Sequence, residues 1–206
     1  MELTILLSFI TSTALLAIMP GPDNIYVLTE SAVNGARNGI AISAGLATGL
    51  IIHTTLAASG LSLILANSPT AYQIIKYLGA SYLIYLAVQS YLHRKDNVEG
   101  ETHQSNRSIG KLFGKGFILN ITNPKVSLFF LAFFPQFIDT NSDNLVKQMF
   151  LLGAVFMGIS FVIFSVIAII SGSLRRFITD QKFILYTNYG KALILFILGI
   201  MVIFTD

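Results

Sequence analysis

The chain has no cysteine and no tryptophan, and only 11% of its 206 residues are charged. Without cysteine there is no disulfide framework, no thiolate metal site and no redox-active dithiol. An ordinary soluble domain carries roughly 25% charged residues. So little charge, beside 54% hydrophobic residues and a mean hydropathy of +0.72, places this chain in a lipid bilayer. A pI of about 9.2 and a net charge of +3 would suit nucleic acid, but the basic residues sit in short loops between apolar runs and form no stripe. Nucleic acid is therefore not an expected partner, and no cofactor is expected. The apolar start, Leu3 to Met19, follows Glu2 rather than a basic region and runs into Pro-Gly-Pro, so it reads as a retained span and not as a secretion signal.

Proline is scarce too, five residues in all, and its placement is informative. Two apolar segments are each broken by proline with a charge beside it: Pro20-Gly21-Pro22-Asp23-Asn24, and Asn123-Pro124-Lys125. Proline lacks a backbone donor and clashes with the preceding turn, so inside a membrane it frees polar groups that hydrocarbon cannot satisfy. Such breaks persist where they line a cavity. In corresponding positions of two halves they are the sign of a midplane solute site in secondary transporters.

A span needs about 20 predominantly apolar residues. Six segments qualify: Leu3 to Met19 with a continuation to Leu28, Asn38 to Leu65, Ala71 to Leu92, Phe117 to Ile138, Gln148 to Gly172, and Phe183 to Thr205. The last contains Lys191, which is expected to snorkel from near the surface, and a five-span count stays open. The segments form two blocks of three, each opening with a broken span. An odd number per block makes the second enter from the opposite side. The expected fold is thus an all-α integral membrane protein of six transmembrane helices in two inverted three-helix repeats, residues 1–92 and 112–206, joined by a linker at 93–111.

Basic residues set the orientation. Ten fall on one side (Arg37, Arg94, Lys95, Arg107, Lys111, Lys115, Arg175, Arg176, Lys182 and Lys191) and two, Lys76 and Lys147, on the other. The linker is therefore expected in the cytoplasm and both termini outside.

Few ionisable residues remain inside the spans: Asp23, His53, Lys125, and Glu30 near the cytoplasmic end. A charge at the bilayer centre costs about 2.5 to 3.5 kcal/mol on insertion scales, so each calls for a partner or a role. Asp23 reads either as a first-turn acid where the helix restarts after Pro22 or as a functional carboxylate. Lys125 follows a capping Asn123 and a first-position Pro124, the wrong helix end for a cation, so it must snorkel or meet an anion. His53 lies one turn beyond Gly45 and Gly49 on a single helix face that lets another helix approach; it reads as a structural donor to a carbonyl or as a proton relay.

With these residues the chain resembles the lysine exporter and homoserine/threonine resistance (LysE/RhtB) superfamily of bacterial amino-acid exporters. The carrying features are Met19-Pro20-Gly21-Pro22-Asp23-Asn24, Gly35-Ala36-Arg37-Asn38-Gly39, the Gly45, Gly49, His53 face, Leu78-Gly79-Ala80-Ser81-Tyr82, and Asn120-Ile121-Thr122-Asn123-Pro124-Lys125 running into Phe133-Phe134-Pro135-Gln136-Phe137. The resemblance implies multi-pass residence in the cytoplasmic (inner) membrane and export of amino acids or related small solutes, closer to the homoserine/threonine branch, by proton antiport. A zwitterion needs a carboxylate for its ammonium and a cation for its carboxylate, which Asp23 and Lys125 would supply. Asn24, Asn120, Asn123 and Gln136 would add uncharged hydrogen bonds. Asp23, Glu30 and His53 are the candidates for proton coupling. Two other classes stay open: a metal-cation exporter, which would want clustered acidic and histidine ligands that this sequence lacks, and an intramembrane hydrolase using Ser62 or Ser160 with His53. A homo-oligomer also stays open, since small-residue faces pack within or between chains.

Overall fold

The computed structural model describes residues 3–61, 68–92, 108–139, 144–178 and 181–204, all of it helix and connecting turn. Helix α1 (Leu3–Ile18) stops before Pro20, and α2 (Pro22–Asn34) restarts with Pro22 in its first turn, bent by 58° from α1. A single residue, Gly35, separates α2 from α3 (Ala36–Leu56). Its φ of 92° is the left-handed value that favours glycine, which allows so sharp a turn. One wide turn, Ala57–Leu61, extends α3. Then come α4 (Pro69–Leu92), α5 (Ile109–Ile121), the short α6 (Pro124–Leu128), α7 (Leu145–Ile178) and α8 (Gln181–Phe204).

The second break is local chemistry carried through. Asn123 caps α6, its side chain accepting the Lys125 backbone N–H at 3.1 Å, and Pro124 takes the first turn. The chain turns 47° there. Beyond α6 it widens into a π turn over Phe129–Phe133 and tightens into a 3-10 turn over Phe134–Phe137. Pro135 accounts for this, because its ring would meet the carbonyl four residues back in a regular α-helix.

Among the described residues two helices, Ala36–Gly60 and Leu145–Ser171, are long and apolar enough to cross a membrane, and each bent pair adds one more. Helix α8 carries a shorter apolar stretch, Asn188–Phe204, and α4 falls below the same apolarity although its 24 residues reach about 36 Å at 1.5 Å each. Several boundaries differ from the sequence reading. The broken span begins at Ile109 rather than Phe117, because Leu112 and Gly116 bury against α3 despite Lys111 and Lys115 around them. Residues 109–111 of the expected linker are therefore helical. Arg94, Lys95 and Arg107 lie outside the described residues, as do Glu2 and Ser62.

Helix α3 is the centre of the packing, pressed between α5 and α7, while α4 lies along α8. At the α3–α5 crossing, a Cβ on Gly45 would run into the Phe113 carbonyl, and one on Gly116 into the Ile42 carbonyl. The two backbones meet here, as small residues allow. Buried apolar residues form two clusters. One contains Phe9, Leu16, Met19, Leu50, Phe129 and Phe156. The other contains Val27, Ile42, Leu46, Leu112, Phe164 and Ala168. Along α1–α2, α3 and α7 the chain passes from one cluster to the other within a few residues, and the polar groups described next occupy that boundary.

Candidate functional site

Each break leaves a helix end with carbonyls that have no partner of their own. At the end of α1 the Leu15 carbonyl accepts the Met19 N–H, at 2.9 Å. Asn24 Nδ2 donates to the carbonyls of Ala17 at 2.7 Å and Ile18 at 3.4 Å. The Lys125 ammonium donates to those of Leu16 and Met19, both at 3.2 Å. Lys125 is thus at the wrong end of its own helix and at the favourable, negative end of another. It also meets its anion: Nζ lies 3.2 Å from Asp23 Oδ2 and 3.4 Å from Oδ1, with the two side chains 8% and 3% exposed. Asp23, in the first turn of α2, faces that helix's positive end.

Gly21 lies directly over this pair. Its extended backbone (φ −155°) would suit any residue, but a Cβ would come 2.6 Å from Asp23 Oδ1 and 3.2 Å from Lys125 Nζ. Glycine is needed for space. Gly21→Ala is expected to fold but to melt below wild type, because the added methyl presses on the Asp23 carboxylate without removing a charge. An unchanged melting temperature would show that the space over the pair is not tight.

Around the pair, three buried amide atoms have no partner among the described residues: Asn24 Oδ1, Asn120 Oδ1 and Asn123 Nδ2. An unpaired buried polar group costs about 1 to 3 kcal/mol, and three of them lie near this one ion pair. Asp23, Lys125 and Asn120 line a small cavity of about 10 Å³ with Ser160, between Leu50 and the rings of Phe156 and Phe164. That is room for one water or hydroxyl group.

Other sequence candidates fall elsewhere. His53 directs Nε2 at the Asn120 carbonyl, 3.2 Å away, and stacks on Phe130. Gly49 faces the Asn120 side chain. Glu30 is buried near the α2–α3 turn, where its carboxylate accepts from Asn34 at 2.8 Å and Asn38 at 3.3 Å. Gln136 is not brought to the cavity, because its amide bonds back to the Ala132 carbonyl of its own segment. Lys191, expected to snorkel from near the surface, is half-buried on α8. Ser160, which the sequence offered only as a hydrolase serine, lines this cavity.

Two bent helices whose breaks meet over a buried ion pair, in an apolar all-helical chain, have the construction of a membrane translocator. Comparison with known proteins places it: the chain belongs to the LysE family, matching the LysE type translocator model over residues 14–205. It is a membrane transport protein and not an enzyme. It is 32% identical over 175 residues to a homoserine/homoserine lactone efflux protein of Salmonella typhimurium, covering 85% of this chain and 84% of that one. It is equally 32% identical over 186 residues to the membrane protein YrhP of Bacillus subtilis, covering 86% and 88%. A leucine efflux protein of Klebsiella pneumoniae is 26% identical over 176 residues, covering 85% and 83%. No solved structure matches the chain.

Proposed function

We propose that the chain exports small neutral amino acids or related solutes across the cytoplasmic membrane, exchanging them for protons. The observation that carries this reading is the Asp23–Lys125 pair, formed across both helix breaks and bordering the cavity. A zwitterionic amino acid presents the same two charges in reverse, so its ammonium takes Asp23 and its carboxylate takes Lys125 while the protein's own pair opens. The names of the homoserine and leucine efflux relatives support amino acids as the cargo. A metal ion suits the site less well, since its cation Lys125 would repel one and no three of His, Asp and Glu gather among the described residues. For a hydrolase, His53 is turned to a backbone carbonyl rather than to a nucleophile.

In this reading the chain crosses the membrane six times, as two inverted repeats of α1–α4 and α5–α8. The pairing of equivalent helices, α3 with α7 and α4 with α8, supports it. Asp23 is the main proton carrier. Glu30, seven residues further along α2, is the reserve, and His53 is secondary because its Nε2 faces a backbone carbonyl.

The test is efflux of a panel of amino acids from loaded cells overexpressing the chain, with and without a protonophore. Neutral amino acids should leave faster, and the protonophore should remove the gain. Asp23→Asn should abolish uphill export, whereas His53→Gln should cost less. No accelerated efflux of any amino acid would overturn the assignment of cargo, and unimpaired uphill export by Asp23→Asn would exclude Asp23 as the obligatory carrier.

A further inference from the structure

Helix α1 packs on α7 and α8 packs on α4, which leaves the space between α1 and α8 unfilled. A groove of about 450 Å³ runs there, within the roughly 300 to 1,000 Å³ of small-molecule sites. Its walls are mainly apolar: Leu7 and Leu15 from α1, and Ile194, Ile197, Leu198 and Met201 from α8. Thr11, also in the wall, bonds its hydroxyl to the Leu7 carbonyl of its own helix at 2.9 Å.

One end of the groove carries a charge. Positions 191, 194, 198 and 201 follow at intervals of three and four, so Lys191 shares the groove's face of α8, one turn before Ile194. Cα–Cβ bonds on a helix tilt toward its N-terminus, which sets Lys191 beyond the groove's end rather than in it. Lys191 is half-buried within the apolar stretch Asn188–Phe204 and has no hydrogen bond or ion pair among the described residues. Two residues earlier Tyr189 meets the Tyr91 ring edge-on, 5.7 Å between centroids, and Tyr186 is exposed. Such tyrosines sit at the headgroup level of a bilayer. From Lys191 to Met201 the helix rises about 15 Å, half of a hydrocarbon core of about 30 Å. The groove is as deep as one leaflet.

We propose that this groove binds one anionic phospholipid of the surrounding bilayer, an acyl chain lying between α1 and α8 and the phosphate meeting the Lys191 ammonium. An ammonium at the edge of the hydrocarbon needs an anion, and basic pockets between membrane helices take theirs from lipid headgroups. A second copy of the chain fits less well, because Asp23 and Glu30, the acidic residues of its spans, are buried and would bring Lys191 no anion. The lipid braces α1 next to its break: Leu15 lines the groove, and the following carbonyl, of Leu16, holds Lys125. Assignment to the cytoplasmic leaflet rests on the orientation expected from the basic residues; the site itself does not.

The experiment is native mass spectrometry of the delipidated full chain in detergent, offered equal amounts of phosphatidylglycerol and phosphatidylcholine with the same acyl chains. Wild type should retain one lipid, with phosphatidylglycerol favoured about 5-fold, the worth of one lysine against an anionic surface. Lys191→Gln should bring the ratio near one. Lys191→Arg should keep it, and so should Lys182→Gln, at an exposed lysine of the same helix. Ile197→Trp, which fills the groove from an exposed position, should lower the uptake of both lipids. Glycerol phosphate, an anion without an acyl chain, should not compete. A ratio unchanged in Lys191→Gln, undiminished uptake by Ile197→Trp, or competition by glycerol phosphate would each overturn the site. Efficient disulfide crosslinking between copies of the otherwise cysteine-free chain through Leu7→Cys would overturn it as well, naming a second copy as the occupant. None of these readouts depends on transport, so failure of the lipid site leaves the export reading standing.

Discussion

Replacing either Asp23 or Lys125 by alanine is expected to abolish export and to cost about 3 to 5 kcal/mol of stability, because each leaves a buried charge without its partner. The two losses should be unequal. Lys125 also holds the Leu16 and Met19 carbonyls at the open end of α1, so its removal strands three acceptors where that of Asp23 strands one cation still solvated by two carbonyls. Lys125→Ala should be the less stable variant. The double alanine variant should recover part of the stability and none of the transport, since no charge is left unpaired but neither end of the zwitterion finds its contact. Exchanging the charges should recover neither: a lysine at position 23 would face the positive end of α2, and an aspartate at 125 would face carbonyls it cannot bond. Thermal unfolding in detergent beside efflux rates would decide this. A double variant no more stable than the worse single one would show that pairing is not what makes the single changes costly.

A methyl group on Gly45 or Gly116 should destabilise the chain by about 1 to 3 kcal/mol, the range for overpacking. Both would collide with a backbone carbonyl, of Phe113 and Ile42 respectively, which cannot rotate aside as a flexible side chain does. Helices α3 and α5 would have to part, taking His53 away from the Asn120 carbonyl and loosening the second break. Gly110 and Gly114, on the same helix as Gly116, have open space where a Cβ would go. Alanine there should be neutral or slightly stabilising, because glycine weakens a helix interior by about 1 kcal/mol relative to alanine. Equal melting temperatures for Gly116→Ala and Gly114→Ala would refute the close crossing.

The sequence makes both breaks legible, since proline acts on its own neighbours: the cap by Asn123, Pro124 in the first turn and the bends after Met19 and Thr122 are all local consequences. Family membership was equally legible from ordered short motifs. What local rules could not supply was where a long side chain goes once the helix is formed. Lys125 reads as misplaced by its own helix alone, and its carbonyl partners lie 106 and 109 residues away. Gln136 looked available for a solute because nothing in sequence reveals its bond to Ala132. The start of α5 was missed because Lys111 and Lys115 mask the buried face of Leu112 and Gly116.

Each break is closed from the other end of the chain. Lys125 covers the carbonyls that end α1, and His53, on α3, covers the Asn120 carbonyl near the end of α5. During synthesis the first helices reach the bilayer long before Lys125 exists. At about 5 to 20 residues per second, the 106 residues between Met19 and its ammonium partner take roughly 5 to 20 s to make. Through that interval Asn24 alone tends the end of α1, and Asp23 has no counter-ion. A nascent chain arrested before α6 would therefore carry an unpaired carboxylate and two uncovered carbonyls at its first break. Lys125, arriving with α6, supplies the partner of all three.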